Sequence, residues 1–134
     1  MPDLFELEVA TPERQLVREE VSEVQLPGKD GYLGILPGHA ALLSQLGAGY
    51  LSYTAGVHRR YLAVAGGFVE VLPGHVRVLA DIAERAEDID IPRAKAALAR
   101  AEAQLATAAD PAEPLAAMSR AQARISAADS THKL

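Results

Sequence analysis

Four arginines near the end of the chain are spaced as anion-binding groups would be. Arg93 and Arg100 are seven residues apart, and Arg120 and Arg124 are four apart, so each pair shares one face if its segment is helical. Folding two such helices into a hairpin near residue 110 would bring the four guanidinium groups to one groove. Guanidinium groups bind phosphate oxygens through paired hydrogen bonds, and they repel one another unless an anion or carboxylates lie among them.

Carboxylates near these arginines leave two interpretations open. Glu84 and Asp90 could pair with the guanidinium groups, or they could orient them toward a ligand. A solvent-exposed face with local ion pairs would show the same pattern, each pair contributing ~0.2–1 kcal/mol. The alternative is a groove that binds a phosphate group.

Other catalytic or metal-binding patterns are weak. The chain has no cysteine, which excludes a disulfide framework, a thiolate metal site and a cysteine nucleophile. Its four histidines form neither His-x-His nor His-Glu-x-x-His, and no Walker-type loop or Gly-x-Ser-x-Gly elbow is present. The sequence therefore predicts a protein that is not an enzyme and has no metal site.

Charge and hydropathy exclude further classes. A formal net charge of −5 and a pI near 5.3 argue against nucleic-acid binding, which requires a basic surface. No segment approaches the ~18–20 apolar residues of a membrane span, so we expect no direct membrane insertion. The acidic N-terminus lacks the basic region of a signal peptide.

Composition divides the chain into two parts. All ten glycines lie at or before Gly74 and all six aromatic residues at or before Phe68, whereas most alanines follow residue 82. Aromatic residues favour strands and glycines favour turns, but alanine is the strongest helix former. We therefore predict a β domain over residues 1–84 and an α-helical hairpin over residues 85–134.

Short alternating runs in the first part predict an antiparallel β-sandwich or barrel. Phe5, Leu7 and Val9 alternate with acidic residues, which is typical of a half-buried strand. Similar runs recur between turn signals such as Pro27-Gly28 and Gly66-Gly67. The predicted runs include Val21–Leu26, Leu33–Leu36, Leu42–Leu46, Gly49–Tyr53, Arg59–Ala65, Phe68–Leu72 and Val76–Ala80.

The second part predicts two helices. Asp88 or Asp90 can cap the first, with Pro92 in its first turn. Two prolines within residues 110–114 must interrupt the helical pattern, and the second helix begins at one of them. It carries Leu115, Met118 and Ile125 on one side.

Few large apolar side chains support this hairpin, so it must rest on the β domain, a ligand or a partner. It is either docked permanently or a movable switch.

Three motifs resemble the epsilon subunit of F-type ATP synthases over almost the whole chain. They are Leu33-Gly34-Ile35-Leu36-Pro37-Gly38-His39-Ala40, then Ala65-Gly66-Gly67-Phe68-Val69-Glu70-Val71 with Val76-Arg77-Val78-Leu79-Ala80, and Ala83-Glu84-Arg85-Ala86-Glu87-Asp88-Ile89-Asp90. The resemblance implies an α+β fold, a sandwich of about ten strands followed by an antiparallel two-helix hairpin.

The same resemblance implies a non-catalytic rotor subunit of the central stalk. Its sandwich would hold the gamma subunit and sit on the c-subunit ring, so the chain would lie at the cytoplasmic face of the bacterial plasma membrane through the complex. The loop from Lys29 to His39 is the expected ring-facing edge, with contacts from Lys29, Tyr32 and His39. Tyr32 replaces the usual glutamate, which removes one charge there. An extended hairpin would reach the alpha and beta subunits and block ATP hydrolysis.

Some bacterial members also bind ATP in the folded hairpin, through a motif that stands here as Ile89-Asp90-Ile91-Pro92-Arg93-Ala94. The resemblance therefore implies ATP as a regulatory ligand and no required cofactor. The implied ATP-binding residues are Glu84, Ile89, Asp90, Arg93, Ala94, Arg100, Arg120 and Arg124. The alternative function is a stand-alone nucleotide-sensing module that uses the same hairpin.

Overall fold

Eight strands form the first part of the chain in a computed structural model, which describes residues 3–132. The strands are β1 (Phe5–Ala10), β2 (Gln15–Val21), β3 (Glu23–Gly28), β4 (Gly31–Ile35), β5 (Leu42–Gln45), β6 (Ala48–Ala55), β7 (His58–Leu72) and β8 (His75–Arg85). Their order is β2-β1-β8-β7-β6-β3-β4, with β5 also paired to β7. All pairs are antiparallel except β1 with β8.

The long strand β7 belongs to both layers of the sandwich. Its first half pairs with β6 and its second half with β5, so the strand passes from one layer to the other. The bend lies at Gly66 and Gly67, which have φ of 71° and 109°. A Cβ on Gly67 would overlap the carbonyl oxygen of Leu79 on β8. Only glycine fits this approach.

The predicted fold class is confirmed, with eight strands where the resemblance implies about ten. The prediction that Gly66-Gly67 forms a turn between two strands is wrong. The chain bends at these glycines, but β7 continues through them and pairs with β8 on both sides. In β8, pairing continues past Ala80 to Arg85, beyond the predicted run. The boundary predicted at residues 84/85 remains a prediction.

Alternating side chains build the core between the layers. Phe5, Leu7 and Val9 are buried as the sequence pattern predicts, and the intervening glutamates are half-buried. They pack with further aliphatic side chains, among them Val24, Leu26, Ile35, Leu51, Leu62, Val64, Val69, Val76 and Val78.

Two helices follow β8 and one 3₁₀ turn (Ala86–Asp88). Helix α1 (Ile91–Thr107) begins after Asp90, whose Oδ1 accepts the N–H of Arg93 at 3.1 Å. Pro92 fits because N–H groups of the first turn have no partner within the helix. Helix α2 (Ala112–His132) begins after the first of the two prolines, where Asp110 Oδ1 accepts the N–H of Ala112 at 3.0 Å.

The hairpin is folded down: α2 lies against β6 and β7, and α1 packs on α2. The contact between α2 and the sheet, which we call the dock, is built mainly from alanines. Ala123, Ala127 and Ala128 of α2 are buried there in one cluster with Ala63 and Ile89. The large side chains predicted for α2 contribute less, since Leu115 is exposed while Met118 and Ile125 are half-buried. Neither helix has an apolar segment long enough to cross a membrane within the described residues.

Candidate functional site

A polar pocket of about 220 Å³ lies where β8, α1 and α2 meet. Its lining residues are Glu84, Asp90, Arg93, Ala94, Ala97, Arg100 and Arg124. Six of the eight positions that the resemblance implies for ATP binding lie around this pocket. Ala97 is the one lining residue that the sequence did not suggest.

Each element contributes charge from a fixed position. Glu84 is held near the end of β8 by its pairing with Ala63 of β7. Arg93 and Arg100 are about two turns apart on α1, so both project toward the pocket. Arg124 reaches it from α2, which makes the pocket dependent on the folded-down hairpin.

One ion pair ties the hairpin to the sheet inside this pocket. The Nε of Arg124 donates to Oε1 of Glu84 at 3.0 Å, and each side chain is about one-third exposed. A guanidinium has five N–H donors, so this bond leaves others to meet a ligand. Asp90 serves α1 directly, because its Oδ1 caps the helix.

Two predicted residues lie outside the pocket lining. Ile89 is 9% exposed and belongs to the apolar cluster beneath α2, where it supports the connection into α1. Arg120 donates to Glu113 at 2.7 Å and faces a small neighbouring cavity beside Ile82. The structure therefore brings together three of the four guanidinium groups predicted to share a groove.

The residues predicted to contact the c-ring are separated. Lys29 lies in the turn between β3 and β4, and its N–H donates to the carbonyl of Gln45. His39 lies beyond the far end of β4, beside Pro73 of the β7–β8 turn. Since β4 has five residues at ~3.3 Å each, more than 10 Å of strand separates them.

Tyr32 is half-exposed but engaged inside the protein. Its hydroxyl accepts the N–H of Tyr50 at 3.0 Å, and the two rings lie 5.0 Å apart. Burial raises the pKa of the Tyr32 phenol above its ordinary value, although the hydrogen bond from the Tyr50 N–H acts in the opposite direction.

The layer that contains β5 carries an exposed apolar surface that the sequence patterns did not predict. It consists of Leu43 of β5, Phe68 of β7 and Leu79 of β8, and we call it the Phe68 surface. At its edge, Arg77 forms ion pairs with Glu70 and Glu8. The signal was present, because Leu79 falls on the outward phase of β8, where a polar residue is expected. Clustered exposed apolar side chains commonly mark an interaction surface.

Comparison with known proteins identifies the family of the sandwich. Residues 4–86 match the sequence model described as the ATP synthase delta/epsilon chain, beta-sandwich domain. The fold resembles a chain in the OSCP/F1/c-ring structure of the Euglena gracilis mitochondrial ATP synthase, with a TM-score of 0.77 and 23% identity over all of this chain and 84% of that one.

Bacterial relatives extend the match through the hairpin. An ATP synthase epsilon chain of Solibacter usitatus is 62% identical over 132 residues, which covers 96% of this chain and 98% of the relative. One from Syntrophobacter fumaroxidans is 44% identical over 134 residues, covering 98% and 100%. The chain therefore belongs to the family of ATP synthase epsilon chains, which are non-catalytic subunits.

Proposed function

We propose that this chain is the epsilon subunit in the central stalk of a bacterial proton-translocating F-type ATP synthase, and that its folded hairpin binds ATP. It would lie at the cytoplasmic face of the plasma membrane, attached through the complex. The observation that supports ATP binding is the convergence of Arg93, Arg100 and Arg124 from both helices on one pocket.

Phosphate groups suit this pocket in charge and size. Three guanidinium groups and two carboxylates line it, so it carries a formal charge of about +1. Its volume is below the ~300–1,000 Å³ of sites that enclose whole drug-sized ligands. We therefore place the phosphates inside, bridging α1 to α2, and the nucleoside along the open side.

Binding of this kind would regulate the hairpin. A ligand that binds only the folded-down state stabilises it by RT ln(1 + [L]/Kd), ~2.7 kcal/mol at a hundredfold excess over Kd. Such a gain is enough to shift a hairpin held by alanine contacts. Without ATP, the hairpin would extend toward the alpha and beta subunits and inhibit hydrolysis.

Calorimetric titration of the full chain with ATP tests the site. Arg93→Ala should weaken binding at least tenfold, because it removes one guanidinium from the pocket. Lys95→Ala is the matched control, since it removes the same charge from an exposed position outside the lining. The absence of binding by the native chain, or equal losses in both variants, would exclude a specific site.

The Phe68 surface is the proposed contact with the gamma subunit. Its apolar centre and charged edge resemble the centre and rim of a protein interface. Phe68→Ser should reduce co-purification of gamma, whereas Val57→Ser, in an exposed turn, should not. A native chain that recovers no gamma partner would instead favour the stand-alone nucleotide-sensing module.

A further inference from the structure

The hydroxyl of Tyr32 fills a gap in the hydrogen bonding of β6. This strand pairs with β3 only from Ser52 to Thr54. Farther along β3, the carbonyl of Pro27 accepts the N–H of Gly47 at 2.7 Å. The N–H of Tyr50 therefore finds its acceptor on a side chain of β4, the Tyr32 hydroxyl.

Close packing fixes the position of this bond. A Cβ on Gly49 would overlap the Tyr32 hydroxyl and lie 3.1 Å from Cβ of Pro27, so only glycine leaves room for the phenol. The Tyr32 phenol is thus held against Gly49 and Tyr50 of β6.

Three tyrosine rings continue from this point to the hairpin. The ring centroids of Tyr32 and Tyr50 are 5.0 Å apart, and those of Tyr50 and Tyr61 are 5.9 Å apart, both within the favourable range for tilted aromatic pairs. Tyr50 and Tyr61 also pack against the alanine cluster that includes Ala127 of α2. Direct contacts therefore connect Tyr32, the second residue of β4, to the cluster on which α2 rests.

We propose that Tyr32 is a positioning residue that couples the β3–β4 turn to the docking of α2. Tyr32 sets the position of Tyr50, and Tyr50 forms part of the surface on which α2 rests. Displacing Tyr32 at the turn loosens the dock, and by thermodynamic linkage undocking of α2 frees Tyr32. The further link to nucleotide rests on the proposed function, because the ATP pocket needs Arg124 of the docked helix.

Residue-resolved amide hydrogen exchange on the full chain tests this coupling. Tyr32→Ala removes both ring and hydroxyl, so exchange at the Tyr50 amide and in Ala121–Ala128 of α2 should accelerate at least tenfold. Tyr32→Phe keeps the ring and should accelerate only the Tyr50 amide, with α2 within about twofold of the native rate. Val57→Ala, in an exposed turn, should change neither.

The contrast between variants separates coupling from general destabilisation. Core amides such as Val69 and Val78 should keep their native rates in Tyr32→Ala. Unchanged exchange in α2, or equal acceleration of α2 and the core, would overturn the proposal. Loss of α2 protection in Tyr32→Phe as severe as in Tyr32→Ala would overturn the role of the ring stack.

Adding ATP distinguishes this proposal from the one on which it rests. Saturating ATP should restore α2 protection in Tyr32→Ala while the Tyr50 amide stays fast, because ATP supplies no acceptor for it. Restored protection at both places would overturn the role of the hydroxyl. If ATP alters exchange in no variant, the ATP site fails, and the coupling is decided by the tyrosine variants alone.

Discussion

Ala127→Leu should release the hairpin from the sheet. Ala127 is fully buried in the cluster with Ala63 and Ile89, against which Tyr50 and Tyr61 also pack. We therefore expect a larger side chain at this position to displace its neighbours. Inserting extra carbons into a packed contact costs about 1–3 kcal/mol. At 1.4 kcal/mol per tenfold change, the undocked population should rise about 5- to 140-fold.

Limited trypsin digestion can measure this change at a native site. An undocked α2 loses its packing and frays, because most of the stability of a helix in a protein comes from the packing of its buried face. Cleavage after Arg124 should therefore accelerate in proportion to the undocked population while reclosing outpaces cleavage. Ala103→Leu is the matched control, the same change at an exposed position of α1. Equal cleavage rates in the native chain and Ala127→Leu would refute docking through alanines.

Three further predictions concern the bend, acid stability and the assembled enzyme. Gly67→Ala should lower the free energy of unfolding in urea by more than about 2 kcal/mol, because its Cβ would overlap Leu79; Gly34→Ala, with open space around it, is the control. Burial raises the pKa of Glu8, but hydrogen bonds from Arg77 and Gln15 outweigh burial and hold that pKa below its ordinary value. The stabilisation that ionised Glu8 contributes is therefore complete above the unfolded pKa of about 4.3, and it disappears as pH falls through the folded value. The difference in free energy of unfolding between the native chain and Glu8→Gln should therefore shrink in acid. A difference that stays constant with pH would contradict this account. An ATP synthase assembled with the chain truncated after Asp88 should hydrolyse ATP faster, and an unchanged rate would exclude an inhibitory hairpin.

Local patterns predicted the strands better than the bends between them. The alternation at Phe5, Leu7 and Val9 identified a strand because burial on one face imposes a period of two. Gly66-Gly67 was misread because paired glycines permit either a turn or a sharp bend. The choice depends on β8, which keeps its pairing with β7 on both sides of the glycines.

Helical spacing predicted most of the pocket but could not predict competition for each charge. Arg93 and Arg100 reach it because residues seven apart share a helix face. Arg120 satisfies the same spacing rule, but it forms an ion pair with Glu113 of its own helix and lies outside the pocket lining. The bond between Tyr32 and Tyr50 joins residues 18 apart through folded strands, and no local pattern encodes such a contact.

The composition of the dock also determines which surface becomes exposed when α2 leaves the sheet. Ala123, Ala127 and Ala128 present single methyl groups, and their partners Tyr50 and Tyr61 carry hydroxyls that water can solvate. Release of the hairpin would therefore uncover mainly alanine methyl groups and tyrosine rings, with Ile89 as the large aliphatic side chain buried in this cluster. We expect the protein to remain colloidally stable with its hairpin either closed or open. If the hairpin opens and closes as proposed, a contact built mainly from alanines and tyrosines would limit aggregation of the open form.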